Sequence, residues 1–179
     1  MTTWSRIARR IRVPLGFIFA ALYLWLAHPI WLSLVIGGII AFAGLAVRAV
    51  ASGHISKNSE LTMSGPYAYT RNPLYLGSII IAAGFAVAAR SAWIVLALVV
   101  LFVAIYIPVI RSEEAFLRSR FPEFEAYARD VPRLFPRFRN PSAGSFSREL
   151  YLKHREYNAV FGTAVMLAAL AAKLLWAGR

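Results

Sequence analysis

Five apolar stretches, set apart by tight turns and basic segments, leave this chain little choice of architecture. They run from Val13 to Ala27, Ile30 to Val50, Asn72 to Ala89, Ser91 to Ile110 and Tyr157 to Trp176. A bilayer core is crossed by about 20 apolar helical residues, and a helix satisfies its own backbone polar groups in lipid. The pattern predicts an all-α, polytopic membrane protein with about five transmembrane helices. The first stretch is short, with Arg12 placed to snorkel to the headgroups. His28-Pro29 and Arg90-Ser91 leave room only for hairpin turns. Pro108 is expected to bend the end of the fourth span. Gly37, Gly38, Ala41 and Gly44 in the second span, and Ser78, Ala82 and Ala86 in the third, offer small surfaces for close helix packing.

Of the 179 residues, 59% are hydrophobic, which argues against a soluble domain. With no cysteine, neither a disulfide nor a thiolate metal site is available, and no Cys/His metal spacing occurs. A net charge of +12 would suit nucleic acid, but its placement points elsewhere. The N-terminus carries four Arg, the 51–72 loop two Lys/Arg and the 111–156 segment ten, whereas the two opposite turns carry only Arg90. This is the positive-inside pattern. The N-terminus and both large polar segments are therefore expected on the cytoplasmic face, beside anionic headgroups, with membrane lipids rather than nucleic acid as partners. Met1 to Arg12, with Trp4, resembles a signal-peptide n-region without a small-residue cleavage site, and reads as a cytoplasmic anchor. The expected location is a membrane, with a bacterial inner membrane favoured.

Between the second and third spans lies Gly65-Pro-Tyr-Ala-Tyr-Thr-Arg-Asn-Pro-Leu-Tyr-Leu-Gly77. Gly65-Pro66 signals a turn, and Pro73 suits the first turn of the next helix. Arg71 and Asn72 then lie beside the positive end of that helix, which favours an anionic ligand group. Tyr67, Tyr69 and Tyr75 bracket them. Such tyrosines form an interfacial belt or an aromatic surface for adenine or a sulfonium. Glu113-Glu114 at the end of the fourth span reads either as a solvated helix end paired to Arg118 or Arg120, or as a carboxylate that holds a ligand ammonium. His54 and Lys57 read as solvated loop residues.

The 111–156 segment is expected to continue the fourth span as a helix over Glu113 to Ser119 and to break at Phe121-Pro122. A short helix follows from Pro122 through Ala128. Val131 to Pro136 is expected to be irregular, Asn140 to Ser147 a turn, and Leu150 to Tyr157 an interfacial helix start. No G-x-G-x-x-G, Ser-His-Asp or nucleophile-elbow pattern is present.

Together, Leu61-x-x-Ser-Gly-Pro-Tyr-x-Tyr-x-Arg-Asn-Pro-x-Tyr-x-Gly, Arg-x-Glu-Glu-x-x-Leu, Phe-Pro-x-Phe-x-x-Tyr and Val-Pro-Arg-Leu-Phe-Pro resemble the isoprenylcysteine carboxyl methyltransferase and phospholipid methyltransferase superfamily, over about residues 48–138. The resemblance implies a single membrane-embedded domain over 1–179: an N-terminal hairpin at 1–50, a cofactor-binding catalytic core at 51–138, and an extension at 139–179 bearing the last span. It implies an enzyme that uses S-adenosylmethionine, with S-adenosylhomocysteine as product, in a cytoplasmic pocket of interfacial loops and short helices. A lipid or prenylated small-molecule or peptide substrate would enter between helices.

The implied cofactor contacts are His54, Ser59, Leu61, Thr62, Tyr67, Arg71, Asn72, Tyr75 and Glu113, the last as partner of the cofactor's amino group. Asn72 stands where many members have histidine and cannot act as a base. Arg111 is assigned to orient the acceptor's anionic group, and Glu114 is the nearest base for an amine acceptor. The implied acceptor is a prenylcysteine carboxylate, with phosphatidylethanolamine as the rival. An NADPH-dependent reductase of the sterol-reductase type and a non-catalytic scaffold are the readings from other classes.

Overall fold

The computed structural model describes residues 19–55, 60–137 and 144–177. The N-terminal anchor, the start of the first apolar stretch, Lys57 and Ser59 lie outside them. The described residues are helical and irregular, with no strand among them. Helix α1 covers residues 19–26, followed by α2 (Trp31–Ser52), a 3-10 turn at Gly65–Ala68 and α3 (Pro73–Ala89). Then come α4 (Ala92–Arg120), α5 (Phe124–Asp130), α6 (Arg148–Lys153) and α7 (Tyr157–Ala177).

Three of these helices, α2, α4 and α7, are long and apolar enough to cross a membrane; α3, at 17 residues, is shorter. The five expected spans thus find three of full length among the described residues. In α4 and α7 only 11% of the most apolar window is buried within the protein. Large apolar side chains such as Phe42 on α2 and Phe161 on α7 stand exposed, as lipid-facing surfaces require.

Turn chemistry sets the helix ends. Arg90 takes the left-handed conformation (φ 52) as the C-cap of α3, and α4 starts two residues later, so the expected hairpin turn is present. Pro108 has no N–H and would crowd the carbonyl one turn back. The helix accommodates it with a π-helical turn at Phe102–Tyr106 and continues unbroken to Arg120. Phe121-Pro122 then ends α4, and α5 begins at Phe124, two residues later than expected.

The tightest seam joins α2 to α3. A Cβ on Gly37 would lie 2.4 Å from the Gly84 carbonyl, and one on Gly44 would lie 2.7 Å from the Gly77 carbonyl. Backbones approach this closely only where side chains are absent. On α2 the expected Gly37, Ala41 and Gly44 make the seam, while Gly38 faces Leu167 of α7. On α3 the expectation is corrected. The buried seam is Gly77, Gly84 and Ala88, whereas Ser78 and Ala82 turn toward a groove described below. Both triplets recur at helical spacing on α3, and only the partner decides which face packs.

One end of the bundle is closed by Tyr23, Ala27, Leu34, Ala88, Ala89, Ile94 and Leu170. The His28 amide donates to the Ala89 carbonyl at 2.7 Å, and Lys173 of α7 donates to the Ala27 carbonyl at 2.7 Å, satisfying an orphan acceptor past the end of α1. Trp25, Trp31, Trp93 and Trp176 all stand exposed at this end, as an interfacial aromatic belt would. The polar segments gather at the opposite end.

If the glycine seam holds α3 in place, Gly84→Leu should cost about 1–3 kcal/mol or more by overpacking. Gly162→Leu, which meets nothing within 4 Å, should be tolerated. Thermal unfolding in detergent measures both; equal midpoints would contradict the seam.

Candidate functional site

Past the ends of α2 and α3 the chain builds a polar layer from two irregular segments lying side by side. Gly65 has φ +57, a conformation open to glycine without strain, and starts the 3-10 turn. The chain then runs through Tyr67 to Asn72 alongside residues 131–137. The Arg71 amide donates to the Pro132 carbonyl (2.9 Å), Thr70 Oγ1 and Asn72 Nδ2 donate to the Arg133 carbonyl (3.2 and 2.9 Å), and the Arg137 amide donates to the Tyr69 carbonyl (3.0 Å). The Tyr127 hydroxyl of α5 donates to the Tyr67 carbonyl at 2.7 Å. Proline-rich sequence cannot form regular helix here, so these cross-bonds satisfy its backbone instead.

Glu114 ties this layer to the bundle. Its side chain is only 4% exposed, and its carboxylate accepts from Arg133 Nη2 at 2.7 Å and Nε at 3.0–3.1 Å. Arg71 Nη2 lies 3.5 Å away and Asn72 Nδ2 donates at 3.4 Å. The structure pairs this residue across the layer rather than along its own helix. Its partners are not Arg118 or Arg120 further along the helix; Arg118 bonds Glu125 and lies over the Phe124 ring instead. The carboxylate assigned as the nearest base for an amine acceptor is thus held by guanidinium and amide donors.

Between the layer and the helix ends lies a cavity of about 730 Å³. Its wall includes Leu61, Thr62, Tyr67, Arg71, Asn72, Tyr75, Glu113 and Glu114 of the expected residues. Glu113, one residue from Glu114 and so turned to another side of α4, is exposed. Its carboxylate lies beside the Tyr75 hydroxyl. Tyr67 is 6% exposed, and its hydroxyl is buried without a protein partner, as is Arg71 Nε. Burial, chiefly, pushes the Tyr67 phenol above its ordinary value, with Tyr127 and Glu113 adding to the shift. It therefore stays a neutral hydrogen-bond donor.

Three expected residues fall elsewhere. Ser59 lies outside the described residues. His54 does not line the cavity. Its ring nitrogens meet the Val50 and Gly144 carbonyls at 2.8 and 3.2 Å, and its ring packs behind Gly65, where a Cβ would come within 2.4 Å. It buttresses the turn from the far side. Arg111 is exposed on α4 and lines neither the cavity nor the groove beside it.

That groove, of about 400 Å³, is lined mostly by apolar side chains, among them Phe19, Ile81, Phe85, Leu98 and Met166. Arg48 of α2 belongs to both hollows. Its guanidinium donates to both oxygens of Glu156 at 2.9–3.0 Å. Tyr106 of the groove and Tyr75 of the cavity meet edge to face, with centroids 5.5 Å apart. Arg48, Glu156 and Glu60 are wall residues that the sequence reading passed over. A signal for Arg48 was present, a lone charge within an apolar span. Its partner, 108 residues away, carried none.

Among the described residues no group of three His, Cys, Asp or Glu side chains is placed to hold a metal ion. Among known proteins, the chain is 39% identical over 102 residues to the nickel-cobalt-cadmium resistance protein NccN of Alcaligenes xylosoxydans xylosoxydans, a match covering 52% of this chain and 48% of that protein. It is 42% identical over 81 residues to the cobalt-zinc-cadmium resistance protein CzcN of Cupriavidus metallidurans, covering 45% of this chain and 38% of that protein. The matched region is less than half the length of either relative. No solved structure matches the chain significantly. The phospholipid methyltransferase family profile matches residues 35–123, a stretch that holds the glycine seam, the Gly-Pro-Tyr segment and both Glu113 and Glu114. Over that stretch the chain belongs to the phospholipid methyltransferase family, part of the isoprenylcysteine and phospholipid methyltransferase superfamily.

Proposed function

We propose that this protein transfers a methyl group from S-adenosylmethionine to the polar head of a lipid-like acceptor at the cytoplasmic surface of the membrane. One observation carries the reading: a single cavity gathers Leu61, Thr62, Tyr67, Arg71, Asn72, Tyr75 and Glu113, and shares Arg48 with an apolar groove. Its size falls in the usual range of cofactor sites, about 300–1,000 Å³. The residues present fit the cofactor. Glu113 offers a carboxylate to an amino group, and Tyr67 and Tyr75 offer ring faces to a flat base or a cation. The partnerless Tyr67 hydroxyl and Arg71 Nε are buried donors that a ligand's acceptors would satisfy. When bound, S-adenosylmethionine supplies an electrophilic methyl on a positively charged sulfur.

The chain's own work is then to align, enclose and exclude water. Positioning alone is worth about 7–11 kcal/mol when reacting groups are held in line, so no catalytic dyad is required. Glu114 is engaged by Arg133, Arg71 and Asn72, and Asn72 has no basic group. With those two groups committed elsewhere, the reading favours an acceptor that is nucleophilic as it stands, and a carboxylate such as that of a prenylcysteine meets this condition; an amine acceptor would have to turn to Glu60 or Glu113 of the wall. A phospholipid amine remains the second reading, favoured by the family that residues 35–123 match. Transfer of labelled methyl to N-acetyl-S-farnesylcysteine or to phosphatidylethanolamine, with protein in nanodiscs, separates the two. Label in neither would contradict the proposal.

The two neighbouring glutamates should part company on mutation. Glu113→Ala and Tyr75→Ala should weaken S-adenosylhomocysteine binding by about tenfold or more while leaving the melting midpoint in place. Glu114→Ala should instead cost about 3 kcal/mol of stability, because it leaves Arg71 buried without its counter-ion. Cofactor affinity unchanged in both Glu113→Ala and Tyr75→Ala would contradict the site. With five crossings, a reporter fused after Arg179 should report from outside the cytoplasm; a cytoplasmic signal would contradict that topology.

A further inference from the structure

Arg48 is held on several sides within a membrane-spanning helix. Nε and Nη2 donate to Glu156 at 3.0 and 2.9 Å, and Nη1 donates to Ser78 Oγ at 2.5 Å and to the Leu74 carbonyl at 3.3 Å. The Arg48 and Glu156 side chains are 23% and 12% exposed. A largely buried pair of this kind is a poor source of stability, since apolar side chains of similar volume often serve as well. Its position suggests another use. Arg48 stands in the wall of both the apolar groove and the polar cavity, and Glu156 in the wall of the cavity. Glu156 is presented by the turn between α6 and α7, directly after Arg155, whose φ of 54 is left-handed. It is therefore not fixed by a helical repeat, whereas Arg48 is.

An amphiphile whose chain lies along Ile81, Phe85, Leu98 and Met166 brings its head to Arg48. A guanidinium is a planar fork that matches the two oxygens of a carboxylate or a phosphate. In the structure a carboxylate, that of Glu156, already fills the fork. We infer that Arg48 selects the acceptor's head group. It takes an oxyanion carried on an apolar chain, and Glu156 is the resident competitor that neutralises the fork until the oxyanion arrives. Ser78 and the Leu74 carbonyl keep the guanidinium in register when Glu156 leaves. A neutral head has nothing to offer Arg48 that Glu156 does not already supply. The oxyanion is either a free carboxylate, as in a prenylcysteine, or the phosphodiester of a phospholipid. This inference rests on the proposed methyl transfer for its purpose, but the binding it predicts can be read without turnover.

The test measures dissociation constants of the full-length protein for two matched pairs of probes. One is N-acetyl-S-farnesylcysteine against its methyl ester; the other is a short-chain phosphatidylethanolamine against the diacylglycerol of the same chains. The charged member of at least one pair should bind about tenfold or more tighter than its neutral partner. Arg48→Gln should abolish that preference, and Glu156→Gln should widen it by removing the competitor. The pair that shows the preference identifies the source of the oxyanion. No preference in either pair, a preference that persists in Arg48→Gln, or one that narrows in Glu156→Gln would overturn the inference. Should Arg48→Gln fail to give a cooperative melt, Glu156→Gln decides alone. S-adenosylhomocysteine binding to the same wild-type preparation keeps the two claims apart. Oxyanion preference without cofactor binding leaves Arg48 as the selector and removes the methyltransferase reading; cofactor binding without oxyanion preference does the reverse.

Discussion

A carboxylate taken out of water beside a bilayer must be matched by donors, and the polar end of this protein is arranged around one such match. Glu114 sits where α4 leaves the apolar region, with Arg133, Arg71 and Asn72 closing on it. Through Arg133 it holds residues 131–137; through Arg71 and Asn72 it holds the start of α3. Those two segments are then stitched by their own backbone bonds, with the Tyr127 hydroxyl adding a third element. The Tyr67–Tyr75 side and the α4 side of the cavity wall are thereby joined. Removing the carboxylate leaves buried guanidinium without its counter-ion, which is why its loss should be felt as instability rather than as weakened binding.

The glycine seam does the corresponding work within the bundle. Because α2 and α3 meet backbone to backbone at Gly37–Gly84 and Gly44–Gly77, Arg48 one turn beyond Gly44 is carried against Leu74 and Ser78. A wider helix separation would leave that charge without its acceptors. Packing and polar placement are thus one constraint: small residues bring the helices together, and their closeness decides where the charge can sit. The same closeness turns Ser78 and Ala82 out of the seam and into the groove wall.

Much of this was legible in the sequence, and the failures share a cause. Apolar runs, hairpin turns at Arg90 and the break at Phe121-Pro122 are local signals, and they placed most helix ends within a residue or two. The polar motif around Tyr67, Arg71 and Tyr75 was also legible, because glycine, proline and tyrosine between two apolar runs have few other uses. The direction of each side chain was not. Glu113 and Glu114 are adjacent and both reach the cavity wall, yet Glu113 is exposed and Glu114 is buried against Arg133, 19 residues on. His54 was assigned to the site, but the Gly144 and Phe146 segment folds back to enclose it behind Gly65. Arg48 and Glu156 find each other across 108 residues. Local chemistry names the groups, and long-range packing decides their partners.

The metal-resistance names carried by two relatives belong to proteins more than twice as long as the regions they share with this chain. The orphaned donors and most of the cavity wall fall in the half that the family profile matches, with Phe124, Tyr127 and Glu156 completing the wall. The central claim is that this half holds S-adenosylmethionine. Calorimetric titration of the detergent-purified protein with S-adenosylhomocysteine, with NADPH as the control ligand, tests it directly. The account predicts saturable binding of S-adenosylhomocysteine and none of NADPH. Binding of NADPH alone would contradict it and move the protein to the reductase class.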